Sequence, residues 1–169
     1  MIEEIKLDTQ LHVKDGDLDL SLINPVKNEA NLPKPKNGFW TSTYIDRNEG
    51  SYFYRTYIMS GKWYLLEPPT VKMFVVNNVK DIHYLLSNYG RQNIFNDITY
   101  IDFEKLCLEV DALHIKEECF DKGSPIAEFN IKDDIVLNID DCNLHPFFQW
   151  RSESTLWFRN KFDDYKIVL

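Results

Sequence analysis

The stretch WYLLEPPTVKMFVVNNVKDIHYLLSNY, residues 63–89, decides the fold class. Its first part, Trp63 to Glu67, and its second, Val71 to Val76, are dense in aromatic and branched apolar residues, and each has strand length. Pro68-Pro69 stands between them. Proline has no amide hydrogen and a fixed φ, so the two runs are separate strands. The third part changes period. Ile82, Leu85, Leu86 and Tyr89 fall at i, i+3, i+4 and i+7, one face of a helix over Val79–Tyr89. Gly90 sits where a C-terminal stop belongs. Two strands followed by one helix break the strict alternation of a doubly wound parallel sheet.

The same reading extends in both directions. Upstream, Gln10-Leu11-His12-Val13 is a short strand, and Phe39 to Ile45 is a second that starts after the turn signal Asn37-Gly38. Between them, Pro25 to Asn37 reads as a loop too short to divide domains. A weakly patterned third helix covers Ser51 to Met59. Downstream, Phe103, Leu106, Cys107 and Val110 repeat the helical spacing, with Asp102 as N-cap. Ala112–Lys116, Ala127–Ile131, Ile135–Ile139 and Thr155–Phe158 complete the strands. The expectation is an α+β fold: a single domain over residues 1–169, with twisted antiparallel-rich sheets and two or three packed helices. Ile82, Leu85, Leu86, Leu106 and Val110 are expected to be buried, and Cys107 to be a buried thiol.

Composition narrows the function classes. The formal net charge is −8. The densest basic stretch, Lys27 to Lys36, is interrupted by acid and proline, so direct nucleic-acid binding is not expected. No apolar run approaches the roughly 20 residues that span a bilayer. Cys107, Cys119 and Cys142, like His12, His83, His114 and His145, show no metal-ligand spacing. With no signal-peptide pattern, the expectation is a cytoplasmic protein with reduced thiols, no disulfide and no metal. Walker and dinucleotide-binding glycine motifs are absent.

Two segments carry polar chemistry among rings. In Gly38-Phe39-Trp40-Thr41-Ser42-Thr43-Tyr44, strand alternation puts Trp40, Ser42 and Tyr44 on one face and Phe39, Thr41 and Thr43 on the other. Hydroxyls beside aromatics suit a cleft for a ribose or an amide ring; they also suit an ordinary amphipathic strand. In Gln149-Trp150-Arg151-Ser152-Glu153-Ser154-Thr155-Leu156-Trp157-Phe158, a carboxylate lies between hydroxyls and two tryptophans. Partial desolvation there shifts its pKa; the plainer alternative is a loop Glu paired with Arg151 or Lys161.

The runs Leu11-His12-Val13, Asp17 to Pro25, Lys34-Pro35 and Gly38-Phe39-Trp40-Thr41-Ser42, together with the block Trp150 to Trp157, resemble small bacterial and phage ADP-ribosyltransferase-like proteins. The resemblance implies NAD as substrate, no metal and a macromolecular acceptor of ADP-ribose. Carried onto this sequence, it implies that His12 holds the ribose and nicotinamide amide of NAD. It makes Ser42, with Thr41 and Thr43, the hydroxyl strand of the nicotinamide pocket, and Trp40, Tyr44 and Trp150 its neighbouring rings. It makes Glu153 the catalytic carboxylate. The sequence departs from that pattern at Lys14, where a small hydroxyl residue would follow the histidine, and at Arg151-Ser152-Glu153, which is no E-x-E. The competing reading is a non-enzymatic acidic protein that blocks a basic surface on a nucleic-acid enzyme, as the charge and the surplus of aromatics allow.

Overall fold

The structure is a computed structural model and describes residues 1–93, 99–120, 128–132, 135–138, 146–147 and 150–168. Eight strands form one sheet: β1 (Ile2–Ile5), β2 (Gln10–Lys14), β3 (Phe39–Thr43), β4 (Lys62–Leu66), β5 (Val71–Val76), β8 (Ala112–Ile115), β11 (Ser154–Trp157) and β12 (Lys166–Ile167). Their order is β1-β5-β8-β11-β3-β2-β4-β12. Every neighbouring pair is antiparallel except β5 and β8. Those two are parallel, so the chain between them must cross over. It does so through α2 (Val79–Tyr89), the hairpin β6 (Gly90–Gln92) and β7 (Thr99–Ile101), and α3 (Phe103–Leu106). A separate hairpin joins β9 (Glu128–Lys132) to β10 (Ile135–Asn138), and α1 (Tyr52–Thr56) follows β3.

The link from β4 to β5 fixes the shape of the sheet. These strands are consecutive in sequence but five spacings apart in the sheet. A flat sheet would separate them by about 24 Å. The chain from Leu66 to Val71 spans at most about 18 Å. The sheet therefore curls, and its concave face closes over Phe39, Tyr64, Leu66, Met73, Val75, Ala112 and Trp157, with Phe162 packed among them. The convex face carries Phe74, Val76, Leu113, Ile115 and Leu156 under the helices. Period-two alternation assigns these sides: Met73 and Val75 face one way, Phe74 and Val76 the other. Each fully buried side chain of this size contributes about 1.5–3 kcal/mol of apolar burial.

The α+β class, the curled antiparallel-rich sheet and α2 agree with the sequence reading, and strand bounds shift by one or two residues. Some local expectations need correcting. The second helix is helical only over Phe103–Leu106; its last residues turn, with the Cys107 amide donating back to Phe103 and Val110 still buried. Cys107 is the cap of that short helix and is half-buried, not a buried core thiol. Leu86 is half-buried because it lies at the margin of the α2 apolar face. Gly90 is not a left-handed stop: its φ is −78°, and it leads into β6. A Cβ there would meet the Leu86 carbonyl oxygen at 2.2 Å, so close backbone approach demands the glycine. The expected third helix exists as α1, capped by the Ser51 hydroxyl. The ends of two expected strands, Ala127 and Ile139, lie outside the described residues, as do Cys142 and His145. Among the described residues, no helix is long and apolar enough to cross a membrane.

Candidate functional site

β2 and β3 pair over only two residues, Gln10↔Thr43 and Leu11↔Ser42, before they diverge. The gap beyond is filled by the His12 ring. Its Nδ1 lies 2.8 Å from the Trp40 carbonyl oxygen, and its ring centroid is 4.5 Å from that of Phe39. Burial pushes the His12 pKa down, so the imidazole is neutral at neutral pH and this nitrogen donates to the carbonyl.

Over this gap, on the Trp40 side, lies a cleft with about 730 Å³ of empty space including its open mouth. Leu11 and Val13 line it from β2, and Trp40 and Ser42 from β3. Phe53 and Tyr54 of α1 form a second wall, with Met59, Lys34, Trp150 and Arg151 around them. The Trp40 and Trp150 rings meet edge to face at 4.6 Å, and the Lys34 ammonium lies 4.4 Å from the centroid of Trp40. Trp150 is buried, and its indole Nε1 has no hydrogen-bond partner among the described residues. An orphan buried donor of this kind costs about 1–3 kcal/mol.

Glu153 sits behind Ser42. Strand register explains its place: Thr155 faces Thr41 across β11–β3, so the residue two before it reaches Thr43. The Ser42 hydroxyl donates to Glu153 Oε2 at 2.6 Å, the Thr43 amide to the same oxygen at 2.9 Å, and the Thr43 hydroxyl to Oε1 at 2.8 Å. Ser42 in turn accepts the Phe53 amide at 3.0 Å, which ties α1 to the carboxylate. Glu153 is 2% exposed. Burial pushes its pKa up, while the Ser42 and Thr43 hydrogen bonds pull against that. His114 Nδ1 is 3.6 Å from Oε1, but burial drives this imidazole down to about 4. The His114 ring is therefore neutral, and the two are not an ion pair. His114 bonds Thr155 Oγ1 at 2.9 Å instead. Behind the carboxylate, Glu117 Oε2 accepts the Glu153 amide at 3.0 Å while its other oxygen holds Arg55 of α1 at 3.0 Å.

His12, Trp40, Thr41, Ser42 and Trp150 thus line one cleft. Thr43 lies under it with Glu153, and the Glu153 carboxylate does not itself line it. Tyr44 lines a separate groove with Glu67 and Tyr165. Sequence reasoning placed a weakly patterned helix over Ser51 to Met59 but missed Lys34, Phe53 and Tyr54 as lining residues. It also missed Gln10 and Trp157, buried at 0% exposure, for which no local pattern gives a signal. No family model, no curated protein and no solved structure matches the chain.

Proposed function

We propose that the cleft binds the nicotinamide end of NAD and that the protein breaks its glycosidic bond, passing ADP-ribose to an acceptor or to water. The observation that carries this reading is the clamp of Glu153 by Ser42 and Thr43 directly behind an aromatic cleft. In the reaction the C1′–N1 bond breaks and its electron pair neutralises the pyridinium nitrogen. The acceptor's lone pair forms the new bond at C1′, and the acceptor's proton leaves to solvent. Positive charge builds on the ribose in between. A carboxylate fixed in a dry site stabilises such a centre without reorganising, an effect worth about 10²–10³-fold in rate for one group. Glu153 stands one hydroxyl away from the cleft, so its charge acts across Ser42. The rings of Trp40 and Trp150 at the cleft wall suit the flat face of a nicotinamide. The neutral His12 suits a ribose hydroxyl.

A second reading has its own observation: Glu153 is covered by Ser42, as in a site that binds without turnover. Labelled NAD and a nicotinamide-release assay separate the two. Saturable binding with release, both lost in Trp40→Ala, is the expected result. Binding without release leaves a NAD-binding protein. No binding at millimolar NAD overturns both and returns the chain to the acidic-inhibitor reading.

A further inference from the structure

The hydrogen bonds on the concave side of the sheet have fixed directions. An indole N–H only donates, so Trp157 Nε1 gives its hydrogen to Thr41 Oγ1 at 2.8 Å. The Thr41 hydroxyl then gives its own to Gln10 Oε1 at 2.7 Å. The Gln10 amide cannot be flipped, because its nitrogen also faces the Asp8 carbonyl oxygen at 3.0 Å, a pure acceptor. That nitrogen donates to Thr43 Oγ1 at 3.1 Å, which turns the Thr43 hydroxyl toward Glu153. On the other carboxylate oxygen, the Phe53 amide donates to Ser42 and turns its hydroxyl the same way. All three groups bonded to the Glu153 carboxyl thereby have their hydrogens directed at it.

We infer that Gln10 and Trp157, neither of which lines the cleft, are positioning residues that set the direction of this chain and hold Glu153 as a pure acceptor, its carboxylate form. A protonated Glu153 would point a hydrogen at a hydroxyl that already accepts one N–H, and that hydroxyl's own hydrogen would lose the carboxylate oxygen it is turned toward. The other charged and titratable groups near the carboxylate are His114 from β8, which is neutral, and Glu117, which bonds the Glu153 amide and is paired with Arg55 of α1. Neither supplies the positive charge that would otherwise keep a buried carboxylate ionised. The consequence for catalysis rests on the NAD reading; the protonation state does not.

The test is a carbon-13 NMR titration of carboxyl-labelled glutamate in the full free chain, with Glu153→Gln assigning the signal. Glu153 is expected to be ionised at pH 7. In Gln10→Leu the Thr43 hydroxyl is released, and the Glu153 midpoint is expected to rise by about one unit, a tenfold change in proton affinity. Trp157→Phe removes the N–H together with part of the buried ring and is expected to shift it in the same direction by less. A wild-type Glu153 protonated at pH 7, or a folded Gln10→Leu with an unmoved midpoint, overturns the inference. If Gln10→Leu does not fold, the wild-type state and Trp157→Phe decide. Nicotinamide release is measured separately. Its acid limb is expected to move up with the midpoint in Gln10→Leu, whereas an absence of release in wild type with an ionised Glu153 sinks the NAD reading alone.

Discussion

The Ser42 hydroxyl donates to the Glu153 carboxylate at 2.6 Å, across 111 residues of chain, while accepting the Phe53 amide. One oxygen atom thus joins β3, the carboxylate and α1. Ser42→Ala takes the partner from the Phe53 amide and one of three donors from Glu153. The expected loss is about 1–3 kcal/mol of stability, read from urea unfolding, with weaker amide protection in α1. A variant as stable as wild type would show that this junction carries no weight.

Glu153→Gln is expected to damage both stability and activity. Three groups donate to Glu153, and the new amide nitrogen must face at least one of them. An unsatisfied buried polar group of this kind costs about 1–3 kcal/mol. Nicotinamide release is expected to fall by about 10²-fold or more. Thermal melts and single-turnover release, run on the same preparation, check the pair of effects. Full turnover in the variant would move the catalytic carboxylate elsewhere, with Glu117 next in line.

His114 makes stability pH-dependent. Its folded pKa is about 4 against an ordinary 6.5. The unfolded chain therefore binds the extra proton between those values, and stability is lost as pH falls through that window. One proton corresponds to about 1.4 kcal/mol per pH unit. Glu153 works in the opposite sense: its raised folded pKa makes its own contribution fade as pH rises through that value. The His114 part is isolated by comparing wild type with His114→Phe, whose melting temperature is expected to be flatter between pH 6.5 and 4. Parallel profiles for the two proteins would contradict the neutral buried imidazole.

Trp150→Phe and Trp40→Ala divide packing from recognition. The first removes an indole N–H that has no partner among the described residues and keeps most of the ring burial. Stability is expected to hold or rise slightly, and NAD affinity to change little, because the donor removed is shielded from the cleft. The second removes a half-buried ring from the edge-to-face pair and is expected to weaken both, with a stability cost below the roughly 3–5 kcal/mol of an enclosed ring. Calorimetry with NAD and chemical denaturation read the two quantities. A roughly tenfold loss of affinity in Trp150→Phe would show that the indole N–H reaches the ligand after all.

Gly38→Ala probes the turn that launches β3. Gly38 has φ +74°, and an added Cβ would lie 2.7 Å from Leu156 Cδ1 and 3.0 Å from the Trp157 carbonyl oxygen. The left-handed backbone alone costs about 1 kcal/mol for alanine, and the clash with β11 adds to it. A melting temperature within a degree of wild type would contradict this geometry.

Much of this was legible because periodicity is a local signal. The proline break at Pro68-Pro69 and the switch from strands to the α2 stripe reveal the class, and alternation along Phe39–Thr43 correctly separates Ser42 from Thr41 and Thr43. The meeting of Ser42 with Glu153 could be expected only through a resemblance, since nothing in either segment encodes the other's position. Other features left no trace. β12 is two residues long and β6 and β7 three each, so none shows a period. Gln10 looks like any polar residue at a strand start; only the pairing of β2 with both β3 and β4 buries it.

The two-pair junction between β2 and β3 has a mechanical meaning. Among the described residues, it is the only ladder joining the half-sheet β2-β4-β12 to the other five strands of the sheet. Pulled across the strands, the molecule should part there first, like cloth at a seam, with the chain of bonds through Gln10 and Thr43 as the stitching. The halves still share the concave core, Tyr64 and Leu66 of one packing with Met73, Val75 and Trp157 of the other, so packing holds the seam where strand pairing is thin. A ligand seated against both Leu11 and Ser42 would act as a clasp, stiffening the seam without adding a single strand pair.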